Sequence, residues 1–462
     1  MSDQLVSFSG ITPSGGFLID PVALEEVAEV ALSRGESQPT WWRNLFRQAA
    51  ALFKQTFFGW SVDLNCIDEA HWGVVFPEDI SSEVRDAVEP LIEIRASQQA
   101  GRRFILFYRP GESVERWAKR YGVDNLLDPD PEKIPYYLLV AGSPQQIPFR
   151  FQQDLVTYAT GRLCFENVIE YQNYIRNLVV YIRELEIQQA ILETGRTGLL
   201  CVAPCRFNQE NDFTHLGLEM TGRVREKWIG DKQFPEFAPP LLGNHATRSA
   251  LLQVLTTLSP EVILFVGHGL HVPPGSEMSQ ADWEGALVCQ EEDGLSWFSS
   301  ADVTPKMQIH NSIWVALACH GAGTPAKSDY SSWFSEREMA HQDQVSSLPQ
   351  RILGDNRPGL AFIGHVDSVT GLTASSDLFS KLLVEIYTGR RLGQAMRHFR
   401  ERSVVSGDFI LRWQDAFENS GMRPPQRESF AAQWIAWRDA RNFLLLGDPA
   451  IQICQSSSAL SS

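Results

Sequence analysis

From Arg102 onward the apolar residues of this chain gather into short continuous runs bounded by turn residues, and between them lie stretches where apolar positions recur every three or four. Runs of the first kind read as buried strands. They cover residues 104–108, residues 136–140 (closed by Ala141-Gly142-Ser143-Pro144) and a third stretch entered through 158–163. The second pattern predicts a long helix over 168–192, with Ile169, Tyr171, Tyr174, Val179, Ile182 and Leu185 on its repeat and no Gly or Pro to break it. Past Thr194-Gly195 the alternation resumes. Strands are expected over 198–202, 262–266, 313–318, 360–363 and 443–446, and helices over 216–228, 248–258 (with Thr247 as N-cap), 377–387 and 392–403. Strands alternating with helices predict an α/β fold, a mostly parallel sheet with helices on both faces. In such sheets reacting groups gather beyond the carboxyl ends of the strands.

That rule gives two segments their meaning. Val262-Ile263-Leu264-Phe265-Val266-Gly267-His268-Gly269 is a continuous apolar strand delivering a histidine between two glycines. Ile313-Trp314-Val315-Ala316-Leu317-Ala318-Cys319-His320-Gly321-Ala322-Gly323 delivers a cysteine in the same way. If the two strands are neighbours, imidazole and thiol meet. A free thiol is mostly protonated at neutral pH, and an adjacent imidazole converts it to the attacking thiolate. His268 is therefore the expected general base and Cys319 the expected nucleophile. The N–H groups of Gly269 and Cys319 are candidate oxyanion donors, and the flanking glycines let a substrate backbone approach closely.

Composition narrows the function classes. The chain has 462 residues, 44% of them hydrophobic, with 26 Phe and 13 Trp, enough to bury a large core. A net charge of −16 disfavours nucleic acid, whose phosphates are held by Lys and Arg. The first residues lack the basic start and apolar core of a secretory signal, and no run approaches 18 apolar residues, so a cytoplasmic protein without membrane contact is expected. Seven cysteines without a CxxC pair point to free thiols. A metal site built from His268, His271, Cys319 and His320 lacks a second ligand pair at recognisable spacing, so neither metal nor cofactor is expected. A cysteine phosphatase needs an arginine just past its cysteine, and His320-Gly321-Ala322-Gly323-Thr324-Pro325 offers none.

His268 precedes Cys319 by 51 residues, and caspases carry the same order at a spacing of about 50. The caspase pentapeptide around the cysteine is missing, but the chain resembles the wider caspase-like clan in its gingipain-type and CHAT-domain branch. The resemblance rests on residues 266–269 and 317–324 and on Leu445-Leu446-Gly447-Asp448-Pro449. It extends through 136–142 and Gly161-Arg162-Leu163, similar to the first half of gingipain-type catalytic domains, and through 360–367 and Leu392-Gly393-Gln394-Ala395, similar to the segment after the cysteine in CHAT domains. It implies an organisation of four parts. Residues 1–100 have no assigned role, 101–194 form a degenerate caspase-like subdomain, 195–455 form the catalytic domain, and 456–462 form a loose tail. Within 1–100, residues 22–31 are amphipathic, and the aromatic stripe of the Trp- and Phe-rich 41–60 reads as core packing.

The resemblance further implies limited proteolysis of a protein substrate in a regulated setting, such as activation of a gasdermin-like pore former or another effector in bacterial defence or cell death. A regulatory protein partner is compatible with that role. Related proteases such as separase carry an Asp after a strand downstream of the cysteine to receive Arg, and Asp367 is the residue here in the similar position. It implies cleavage after Arg or Lys, the alternative being an Asp that caps the turn before Thr370-Gly371. A basic pocket through Arg206 would instead select Asp, and Glu284 and Asp293 are further acidic candidates. The polar stretch 324–348 reads as a loop that shapes the groove or as a solvated excursion. Gly447-Asp448-Pro449 reads as a turn. The competing function is a non-enzymatic caspase-like scaffold.

Overall fold

In the computed structural model the described residues are 5–33, 40–54, 62–127, 130–187, 197–204, 213–228, 237–291, 294–331, 340, 342–374 and 377–453. Ten strands form one sheet. From one edge to the other they are Phe104–Tyr108, Trp72–Pro77, Tyr137–Ala141, Ala159–Leu163, Phe443–Gly447, Ala361–His365, Ile313–Leu317, Pro260–Val266, Thr197–Pro204 and Leu241–Gly243. All neighbours are parallel except Phe443–Gly447 and Ala361–His365, which pair antiparallel. The sheet thus has two blocks of five strands running in opposite directions, joined at that one pair.

Side-chain alternation divides each strand between two layers. Val74 and Leu139 point into one apolar cluster, whereas Val75, Leu138 and Val140 point into the other. One layer holds helices Ser82–Ser97 and Val168–Ile187, which pack on each other; the other holds Leu24–Ser33, Arg397–Ser420 and Arg427–Asn442. The expected helix-covered, mostly parallel α/β sheet is present. Thr247 caps the helix Arg248–Thr257 as expected, its hydroxyl accepting from the Ala250 N–H at 3.0 Å.

Several elements depart from the sequence reading. Trp72–Pro77 is a strand buried at every position, inside residues 1–100 that had no assigned role, and it pairs with two later strands. The helix expected over 392–403 is a short turn, Leu392–Ala395, followed by the 24-residue helix Arg397–Ser420. Gly407 lies inside that helix, where a Cβ would meet Phe46 Cδ1 at 2.8 Å and Trp437 Nε1 at 2.9 Å. It is a crossing point between helices. Arg427–Asn442 was not anticipated, since its apolar residues Phe430, Trp434 and Trp437 are diluted by charged neighbours. Of the helix expected over 168–192, Val168–Ile187 is present and the remainder lies outside the described residues, as do residues 55–60 of the Trp-rich stretch. Asp448 is more than a turn residue. Its fully buried carboxylate accepts from Trp72 Nε1 at 2.9 Å and from Arg95 Nε at 3.1 Å, and its N–H donates to the Tyr174 hydroxyl at 2.9 Å.

Candidate active site

The strands Pro260–Val266 and Ile313–Leu317 are parallel neighbours, and their register ends with Val266 opposite Leu317. His268 and Cys319 each stand two positions beyond that pair, at the carboxyl ends of adjacent strands. The Gly267 N–H donates to the Leu317 carbonyl at 3.1 Å and draws the two exits together. The contact tightens at the next glycine, where a Cβ on Gly269 would lie 1.9 Å from the Cys319 carbonyl oxygen. Only glycine fits there. His268 is buried, with the rings of Phe17 and Phe213 each 6.1 Å from its own.

Cys319 is fully buried. Its Sγ accepts from the Val369 N–H at 3.1 Å and from the Ser9 hydroxyl at 3.3 Å. The Cys319 N–H donates to Ser9 Oγ at 2.8 Å, and the Gly269 N–H donates to the Ser9 carbonyl at 3.0 Å. Burial pushes the thiol up to about 12, against smaller lowering effects of the Ser9 and Val369 hydrogen bonds. In this arrangement the thiol is neutral at physiological pH. Ser9 was not a candidate in the sequence. Nothing local in Val6-Ser7-Phe8-Ser9-Gly10 announces a partner 310 residues away.

Behind the cysteine lies a second polar cluster. His271 Nδ1 is 2.8 Å from Glu284 Oε1, the Thr324 hydroxyl donates to the same oxygen at 3.1 Å, and the Val272 N–H donates to Glu284 Oε2 at 2.6 Å. Burial holds the imidazole of His320, 3.7 Å from Glu284, well below its ordinary range, so it is neutral. One nitrogen or oxygen from each of His271, Glu284 and His320 lies within 4.8 Å of the others, the donor set that would suit a transition-metal ion. Glu284 is nevertheless answered by protein donors on both oxygens. Its role in the fold is to tie the strand exit after His268 to the turn after Cys319.

Asp367 lies two residues past the strand Ala361–His365 and is buried. Its carbonyl accepts from the His320 N–H at 3.1 Å, which joins it to the cysteine turn. Its carboxylate accepts from the Ser328 hydroxyl and the Asp329 N–H, both at 2.7 Å, and from its neighbour Ser368. Burial first, and the nearby Asp329 second, raise it to about 7. Asp329 in turn pairs with Arg438 at 2.8 Å. The polar stretch after the cysteine is therefore partly built in. Gly323–Thr324 pairs antiparallel with Gln344–Val345, and residues 328–330 cover Asp367. The segment 369–371 is anchored by Asp439, which accepts from the Thr370 N–H at 3.1 Å and from the hydroxyls of Thr370, Thr373 and Tyr330 at 2.7, 2.6 and 2.5 Å. Arg206 and Asp293 lie outside the described residues.

No family model matches the chain, and no curated protein is similar to it by sequence. Among solved structures, one described as the structure of a protease is 10% identical over 82% of this chain and 78% of its own, with a TM-score of 0.50. The Arg-specific cysteine proteinase gingipain R is 11% identical over 83% of this chain and 78% of its own, with a TM-score of 0.49. The first likeness is one of fold: the chain shares the α/β architecture of that structure. No helix among the described residues is long and apolar enough to cross a membrane.

Proposed function

We propose that the chain is a cysteine endopeptidase in which Cys319 is the nucleophile, His268 the general base and the Gly269 N–H an oxyanion donor. The observation that carries this reading is the common end of two adjacent parallel strands, with His and Cys at matched positions and the Gly269 backbone against that of Cys319. The protease-like fold supports it. In the reaction, His268 takes the Cys319 proton and the thiolate adds to the scissile carbonyl carbon. The electron pair goes to the carbonyl oxygen, which the Gly269 N–H holds. Collapse breaks the C–N bond, and the leaving amine takes the proton from His268. Water, deprotonated by His268, then hydrolyses the thioester and restores the thiol.

The substrate class is a protein cut at few sites. An effector such as a gasdermin-like pore former in bacterial defence is the partner that the gingipain-type and CHAT-domain resemblance implies. A preference for Arg or Lys through Asp367 requires the turn at 328–330 to withdraw, since Ser328 and Asp329 occupy the carboxylate. The burial of Cys319 favours a second reading, a scaffold that retains the fold without turnover. Fluorogenic peptides with Arg, Lys, Asp or Leu before the cleavage site separate the two. The protease reading expects turnover that Cys319→Ala and His268→Ala abolish; equal turnover by wild type and Cys319→Ala sinks it.

A further inference from the structure

The N-terminal segment runs through the candidate active site as an extended peptide. Its backbone is paired on both sides. On one side the Ser9 N–H donates to the Val369 carbonyl and the Gly371 N–H to the Ser7 carbonyl, both at 2.9 Å, with Phe8 bridged antiparallel to Thr370. On the other side Gly10 and Ile11 run parallel to Gly269 and Leu270, with Gly269 donating to the Ser9 carbonyl at 3.0 Å and His271 to the Ile11 carbonyl at 2.8 Å. The crossover between the two edges falls at Ser9–Gly10, directly over the thiol. A Cβ on Gly10 would lie 3.5 Å from Cys319 Sγ.

From this geometry we infer that residues 7–11 are a built-in occupant of the substrate groove and hold the enzyme closed until they are displaced. The inference rests on the protease reading for its functional meaning and on the pairing pattern for its geometry. Segment 7–11 satisfies edge hydrogen bonds that a bound peptide would otherwise make, as in strand addition to an open sheet edge. Ser9 makes the occupant an inhibitor in place of a substrate. Its carbonyl takes the Gly269 N–H, while its hydroxyl takes the Cys319 N–H and donates to the thiol, so both candidate oxyanion donors and a lone pair of the nucleophile are engaged. The anchors are apolar. Val6, Phe8 and Ile11 are buried, with Phe8 edge-on to Tyr330 at 5.1 Å.

A disulfide trap tests the placement without relying on catalysis. Ser9 Oγ is 3.3 Å from Cys319 Sγ, so Ser9→Cys treated with oxidised glutathione under native conditions should cross-link to Cys319, read by peptide mass spectrometry. Ser14→Cys, in the exposed turn beyond, should not. Loosening the anchors by Phe8→Ala with Ile11→Ala should speed site-resolved iodoacetamide labelling of Cys319 by about tenfold or more, because access and thiolate fraction set the rate. Peptide turnover should rise in parallel. Absence of the cross-link, an equal cross-link from Ser14→Cys, or unchanged labelling in a folded double variant would overturn the inference. If the double variant fails to fold, the cross-link alone decides. A cross-link accompanied by no turnover in any variant keeps the occupied groove and removes the protease reading instead.

Discussion

Arg95 and Asp448 form a buried ion pair across the molecule, linking a helix of the first five-stranded block to the residue that follows the last strand of the sheet. Trp72 Nε1 and the Ala450 N–H also donate to the carboxylate, and the Asp448 backbone N–H donates to the Tyr174 hydroxyl.

Removing one partner of such a pair leaves the other charge buried and alone. Arg95→Ala and Asp448→Ala should each cost ~3–5 kcal/mol in urea denaturation, the usual penalty for half of a buried pair. Replacing the exposed Arg109, whose partner Glu78 is also exposed, should cost under about 1 kcal/mol.

Gly269→Ala forces a methyl to within van der Waals exclusion of the Cys319 carbonyl. The outcome expected is a lower Tm together with loss of peptide hydrolysis. Gly222→Ala, inside the helix Phe213–Trp228 where an added Cβ meets nothing within 4 Å, should leave hydrolysis unchanged and raise Tm slightly, Ala being the better helix former.

The Asp439 carboxylate fixes the edge at 369–371 through Thr370, Thr373 and Tyr330. Asp439→Ala should shorten the hydrogen-exchange lifetime of the Ser9 and Gly371 amides, which pair across that edge, and lower stability by ~1–3 kcal/mol for the donors left unsatisfied.

Cys201, Cys289 and Cys319 are buried and each pushed by that burial up to about 12. A thiol with a raised folded-state pKa contributes its full stability below its unfolded value, near 8.5, and loses it as pH rises toward 12. Unfolding above pH 9 therefore releases protons. Tm should hold between pH 7 and 8.5 and fall progressively from pH 9 to 11, and a flat profile across that range would contradict the burial of these thiols.

The placement of His268 and Cys319 at adjacent strand ends was legible because both residues end continuous apolar strands, and the strand-end rule for parallel sheets supplies the geometry once the strands are neighbours. His268, Gly269 and Cys319 came from local pattern alone. Ser9, Val369 and Asp439 did not, because their contribution is made across 50 to 310 residues by backbone pairing and hydroxyl contacts that carry no sequence period. Trp72–Pro77 was missed because Gly73 and Pro77 read as breakers and leave only Val74-Val75-Phe76 as an apolar run. Asp367 was found at the expected position in the chain, but the company it keeps, Ser328 and Asp329, depended on a loop whose polar composition gave no sign of folding back.

The antiparallel strand at the middle of the sheet has a consequence for synthesis. Phe443–Gly447 is added after all nine of the other strands, and it is the one that seals the Ala159–Leu163 block to the Ala361–His365 block. A chain emerging from the ribosome therefore carries a first half-sheet with a bare inner edge from residue 163 onward, and a second bare edge joins it once residue 365 is made, both waiting for Phe443–Gly447. Such edges invite pairing with other nascent chains, so this protein should depend on chaperones during production, and its solubility should be limited by the time that elapses before its last strand is made.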